Sequence, residues 1–344
     1  MDKKFLFELL STCSVSGYET EIEKKIYDRM KPLADDVRVD ELGNVTAAVN
    51  PAAPYKVLLA GHADEIGLFV CGADGNGFLK VFRSGGIHVQ SYLGHKVVVH
   101  TANGPVYGAV VSTGDLRDDT KLRAKDLLID IGAKDKEDAL AHVALGDPVI
   151  FDTDVRELLN GRITARAMDD RIGAYIVMEA VRRAKEKGCA VGAYATSTTG
   201  EETCGSGAFF TAARVKPDIC IAVDVTYATD YAGADTETGD ICVDKGPVIC
   251  NAPGIHKKVN RMLYDAAKRL DMAVQTEAAG GRTGTDGDTM THTGIGVPFA
   301  LVSIPLRYMH DPAEVGSLKD IEDCVELLAE FLCGLTVNTD LRPF

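Results

Sequence analysis

Val57-Leu58-Leu59-Ala60 is an unbroken apolar run, too short for a helix, that stops at Gly61-His62-Ala63-Asp64. Apolarity without alternation over so short a stretch describes a strand covered on both faces, which a parallel sheet with helices on each side provides. The same pattern recurs downstream. Helical periodicity over Asp170 to Lys187, His256 to Leu270 and Leu318 to Cys333 alternates with strand signals over Val191 to Thr198, Ile219 to Val225 and Val297 to Ile304. This alternation predicts an α/β fold with a mostly parallel central sheet flanked by helices. Ahead of it, Phe5, Leu9 and Cys13 share one helical face, and after a Ser-Gly break Ile22, Ile26 and Met30 repeat at i, i+4, i+8.

Between Ile66 and Leu158 the pattern changes to glycine, valine and short alternating stretches such as HKVVVHT and GPVYGAVVS, with one helical patch from Lys136 to Val143. These signals predict a small β-rich domain, residues 66–158, inserted into a larger domain formed by residues 1–65 and 159–344. A chain of 344 residues can supply each with its own core.

Several classes are disfavoured by composition. Net charge is −14, from 51 acidic against 37 basic residues, and no Lys/Arg stripe is present that could neutralise phosphates, so nucleic acid is not an expected partner. No apolar run approaches the roughly 20 residues a bilayer needs, and MDKKFLFELL carries no small-residue cleavage site, so neither membrane nor export is expected. Nine cysteines, odd in number and never spaced Cys-x-x-Cys, suggest reduced thiols in the cytoplasm.

Five motifs place candidate ligands or acid/base groups at a strand end or a helix start: GHADEIG with His62 and Asp64, RAMDDRIG with Asp169 and Asp170, TGEETCGSG with Glu201 and Glu202, AVDVTYATD with Asp224, and IPLRYMHDP with His310. Ligands of open α/β sheets bind at the carboxyl ends of strands, so residues spread over about 250 positions can converge. Singly, each has a bland reading. A histidine after a strand is commonly hydrogen-bonded structure, Asp170 can cap the following helix, Glu201-Glu202 can be a solvated loop, and Asp224 a turn residue. Jointly, acidic residues gathered among apolar neighbours are costly unless something positive neutralises them, as two divalent cations would. Imidazole and carboxylate without thiolate suit Zn²⁺, Co²⁺ or Mn²⁺ at open catalytic sites. One carboxylate bridging two such ions and a neighbouring free carboxylate that takes a proton from water make a hydrolytic centre.

In their order and spacing, GHADEIG, LLIDIGAKDKEDA, DDRIG, the Glu-Glu pair, DVT and RYMH resemble metallopeptidase family forty-two, the tetrahedral (TET-type) aminopeptidases. That family includes glutamyl and deblocking aminopeptidases and some proteins once labelled endoglucanases. The resemblance implies a di-zinc exopeptidase-like catalytic domain with an inserted small β-barrel (PDZ-like). It implies two divalent ions per subunit, one held by His62, Asp224 and a bridging Asp169, the other by His310, Glu202 and the same Asp169. Glu201 would be the general base, and Asp64 would hydrogen-bond His62 and fix its tautomer. Short peptides would be the substrates, and the insert would mediate self-association, commonly into a tetrahedral dodecamer.

Two positions depart from the family pattern. Thr203-Cys204-Gly205-Ser206-Gly207 stands where Val-Gly-x-Arg-Gly is usual, and Asp311 follows His310 where serine is usual. Neither removes a ligand, and both bear on the substrate pocket. GGRTGTDGD is expected to form a pocket wall with Arg282, Gly284 and Asp286, Arg282 being either a selector for acidic side chains or a surface residue. The rival within hydrolases is a di-metal carboxypeptidase or N-acyl amino acid deacylase, which needs a positive group for the substrate carboxylate. A glycosidase needs two carboxylic groups and no metal, and a non-catalytic module that has kept the fold need not retain every ligand.

Overall fold

A computed structural model of the chain describes residues 1–112 and 121–344. The run around Leu58 is a central strand, Lys56–His62, of an eight-stranded sheet. In order across the sheet the strands are Asp36–Val39, Val45–Val49, Gly192–Thr198, Lys56–His62, Ile219–Tyr227, Phe299–Leu306, Val248–Asn251 and Gln275–Ala278. The middle four are mutually parallel. Toward the edges, Val45–Val49 and Val248–Asn251 join antiparallel. Val57, Leu58, Leu59 and Ala60 are buried, as an unalternating strand between two helical layers must be.

The helix Met168–Lys187 packs against three of the central strands and against the helix Leu318–Cys333. Being covered on several sides, it is buried nearly all round rather than along one stripe, with Arg171 and Glu179 among its buried residues. Its approach is close: a Cβ at Gly61 would lie 2.5 Å from the carbonyl carbon of Gly173, so only a glycine strand end admits this helix. That contact sets the end of the His62 strand beside the start of the helix that carries Asp169 and Asp170.

The β-rich stretch closes into a six-stranded barrel, in the order Gly67–Ala73, Leu79–Ser84, Leu127–Asp130, Gly104–Ser112, Lys96–Thr101 and Pro148–Phe151. Leu68, Val70, Val81, Val99, Val110 and Ile129 are among the residues of its separate core. The helical patch is present as Lys136–His142, capped by the Asp135 carboxylate, which accepts from Asp138 N. A third, three-stranded sheet of Arg156–Glu157, Arg162–Ala165 and Glu314–Ser317 ties the approach to Asp169 to the segment after His310.

Candidate metal centre

His62 ends its strand, Asp169 opens the long helix, and His310 lies in the turn after Phe299–Leu306. These three meet. One oxygen of Asp169 lies 3.3 Å from His62 Nε2 and the other 3.2 Å from His310 Nε2, so a single carboxylate faces both rings. Glu201 Oε2 is 3.8 Å from His62 Nε2, and Glu202 Oε1 is 3.8 Å from His310 Nε2, so the adjacent glutamates take opposite sides. Among the described residues, two groups have ligand atoms within 4.8 Å of one another: His62 with Asp169 and Glu202, and His62 with Asp170 and Asp224.

Supporting contacts hold these side chains in place. His62 Nδ1 lies 3.0 Å from the Asp64 carbonyl oxygen and 3.4 Å from its carboxylate, so the backbone of Asp64 contributes the shorter contact. The Asp64 carboxylate instead accepts from Ser16 Oγ and from the amides of Glu201 and Glu202, which anchors the glutamate pair. Asp170 accepts from Gly173 N, as a helix-start carboxylate does, and also from His62 N, pinning the strand end to the helix. Sequence reasoning did not single out Glu314. Its carboxylate accepts from Met168 N, Asp169 N and His310 N, joining the two loops that carry the shared carboxylate and the second histidine. Its place four residues after His310 is the only signal it leaves in the sequence.

The electrostatics are those of crowded acids. Burial pushes the Glu201 carboxyl up to about 9, helped by Asp224, Asp286 and Asp169 and opposed by His62. Burial likewise holds Glu202 and Asp224 well above the carboxylate range, with Asp169 the foremost neighbouring charge. Burial would raise Asp169 too, but hydrogen bonds from His310 and His62 override it and hold this one carboxyl well below the usual range. His310 moves the other way for the same reason: burial opposes its charge, yet contact with Asp169 raises it to about 9. Glu202 Oε1 is buried with no hydrogen-bond partner. An unpartnered acceptor beside imidazole nitrogens, amid carboxylates that resist ionisation, fits a bound cation.

A cavity of about 350 Å³ opens over the cluster and is bordered by His62, Asp169, Glu201, Glu202, Asp224 and His310. Its wall includes Thr226, Tyr227, Cys250, Glu277 and the turn Thr283-Gly284-Thr285. Of the three pocket residues expected from GGRTGTDGD, Gly284 borders the cavity. Arg282 is 82% exposed and pairs with Asp288. Asp286 is buried beneath the wall, where it accepts from Thr198 Oγ1.

The family model described as M42 glutamyl aminopeptidase matches residues 43–327. The chain belongs to this family. It is accordingly an enzyme, a hydrolase of the aminopeptidase kind. A lysyl aminopeptidase from Pyrococcus furiosus is 31% identical, with 96% of this chain and 97% of that protein covered. Among solved structures, a TET aminopeptidase from a marine sediment Thaumarchaeota archaeon superposes with a TM-score of 0.91 at 31% identity, covering 97% and 96% of the two chains. The TET1 peptidase of Pyrococcus horikoshii, which can assemble into a tetrahedron or a large octahedral shell, gives a TM-score of 0.86 at 27% identity, covering 97% and 99%.

Both departures from the M42 pattern lie in or beside the turns that carry Glu202 and His310. Thr203 to Gly205 form the turn into the helix Ser206–Val215, with Gly205 at φ +63° packed on Thr289. Asp311 accepts a hydrogen bond from Ser91 Oγ, which the barrel supplies.

Proposed function

We propose that the chain is a di-metal aminopeptidase that removes N-terminal residues from short peptides. In this reading His62, Asp224 and Asp169 hold one divalent ion, and His310, Glu202 and Asp169 hold the other, with zinc the first candidate and cobalt or manganese able to substitute. The observation that carries it is the single Asp169 carboxylate presenting one oxygen to each of two histidines. Once bound, the two cations supply a nucleophile derived from water at neutral pH and polarise the scissile carbonyl. Glu201, on the His62 side, takes the proton from the attacking water and returns it to the leaving amine. His62 and His310 keep their Nε2 atoms turned inward through their Nδ1 contacts to the carbonyls of Asp64 and Gly86.

The aminopeptidase reading is favoured over the carboxypeptidase or deacylase reading because, among the described residues, those bordering the cavity include no lysine or arginine to receive a substrate carboxylate. The wall carries Glu277 instead, whose carboxylate accepts from Thr226 Oγ1 and Ser303 Oγ. A basic N-terminal side chain is the one this wall complements, and the name of the Pyrococcus furiosus relative agrees. Activity on lysyl-, leucyl- and glutamyl-p-nitroanilide beside N-acyl amino acids, with metal content measured on the same preparation, tests the reading. Hydrolysis of the N-acyl compounds alone would overturn it, as would full activity without metal.

We assign catalysis to residues 1–65 and 159–344 and subunit contact to residues 66–158. Exposed Phe82 and Tyr107 on barrel strands support the second assignment, as does the assembly of the TET1 relative. Nine free thiols suit a reducing cytoplasm.

A further inference from the structure

We infer that the barrel is a working part of the metal centre: the connection between its strands Leu79–Ser84 and Lys96–Thr101 grips the His310 turn and thereby sets the affinity of one cation. The inference rests on the di-metal reading and adds a positioning role for Gly86 and Ser91, which that reading does not contain. His310 Nδ1 lies 3.0 Å from the carbonyl oxygen of Gly86, and donation there leaves the Nε2 lone pair free to face Asp169 and Glu202. The ring also lies close to this backbone. A Cβ at Gly86 would sit 3.1 Å from His310 Cε1 and 3.2 Å from Nδ1, so a side chain at position 86 presses on the imidazole, which must yield by a few tenths of an ångström.

A second contact fastens the same turn one residue on, where Ser91 Oγ donates to Asp311 Oδ1 at 2.5 Å. Asp311 is the residue that stands where serine is usual, and Ser91 gives it a partner. The turn needs such anchors. Tyr308 and His310 have φ of +62° and +68°, a left-handed conformation that residues with a Cβ adopt only when their surroundings hold them there. Barrel and site meet closely as well. Between Tyr92 and Phe151 on one side and Asp169, Glu202 and His310 on the other there remains a cavity of only about 20 Å³, room for about one water.

The test uses the full chain, stripped with a chelator and titrated with Zn²⁺ by calorimetry, as parent, Ser91→Ala, Ser91→Thr and Gly86→Ala. Ser91→Ala and Gly86→Ala are expected to weaken one of two zinc equivalents by about tenfold or more, the usual scale for partners that orient a ligand, and to leave the other unchanged. The metal-free melting temperature should fall by no more than a few degrees, the scale of one lost hydrogen bond, and Ser91→Thr, which keeps the hydroxyl, should bind as the parent does. Unchanged binding of both equivalents in Ser91→Ala and Gly86→Ala overturns the inference alone. Equal weakening of both equivalents also overturns it, since the barrel would then act on general stability. A parent that binds no zinc sinks the di-metal reading and this inference with it.

Discussion

Glu201 and Glu202 are neighbours in sequence yet face different histidines, in the turn after Gly192–Thr198 whose two amides the Asp64 carboxylate holds. Their substitution should therefore separate chemistry from binding. Glu201→Gln keeps the shape and removes the proton acceptor, so kcat should fall by roughly 10²-fold or more while both metals stay bound. Glu202→Gln should instead weaken the ion on the His310 side. Turnover and metal content measured together on the two variants decide the matter, and the assignment fails if Glu201→Gln sheds a metal while Glu202→Gln keeps both. Backbone amides matter too: His310 N, Met168 N and Asp169 N all donate to Glu314, and the link to 168 and 169 is a long-range partnership that no local motif announces.

At the scale of elements, Glu277 lies on Gln275–Ala278, a four-residue strand at the sheet edge, and reaches inward to Ser303, which pairs in register with Asp224. A carboxylate so placed, beyond the proposed ligands and on the cavity wall, should read the substrate's first side chain. Glu277→Gln is expected to lower kcat/KM for lysyl substrates by at least about tenfold and to change leucyl substrates little, because losing a partner for a desolvated charge costs about 2 kcal/mol or more. Arg282→Ala should leave both nearly unchanged, since its side chain points to solvent and Asp288. A parallel loss on leucyl and lysyl substrates after the Glu277 change would show that the residue supports the wall and selects nothing.

For the whole molecule, the metal-free chain should have an unusual dependence on pH. Glu201 and His310 are raised to about 9 and Glu314 to about 8, by burial in the acids and by Asp169 contact in the histidine, against ordinary values of 4.5 and 6.5. Each group binds its proton more tightly folded than unfolded. The stability they contribute is therefore complete below their unfolded values and is lost as pH rises through about 8 to 9. Divalent metal has the opposite preference, since it binds the deprotonated ligands. Melting temperature in chelator should thus fall between about pH 5.5 and about pH 8.5, and the rise produced by zinc should grow over the same interval. A melting temperature in chelator that climbs with pH would contradict this account. Assembly is the second whole-molecule property. Tyr107→Asp combined with Phe82→Asp should lower the sedimentation coefficient without changing far-UV dichroism, and an unchanged coefficient would remove those aromatics from the subunit contact.

Wherever local chemistry decides, the sequence alone determined the outcome. The apolar run at Leu58, the helical periods over 170–187, 256–270 and 318–333, and the change to glycine and valine after Ile66 each report burial on a known face, and the sheet, helices and barrel follow from them. The motifs that carry the proposed ligands stand out for a similar reason: carboxylates gathered among apolar neighbours are costly without a counter-charge, so their residue types draw notice. The sheet's edge strands, Asp36–Val39, Val45–Val49, Val248–Asn251 and Gln275–Ala278, were not, because strands of four or five residues carry too little pattern to be read apart from their neighbours. Tertiary structure alone decided that Arg282 turns to solvent, that Glu277 borders the cavity, that Glu314 ties two loops together and that the barrel's Gly86 meets His310. Each of these depends on which way a side chain or carbonyl points once distant segments have packed, and contacts between residues as far apart as 86 and 310 leave no periodicity in the chain.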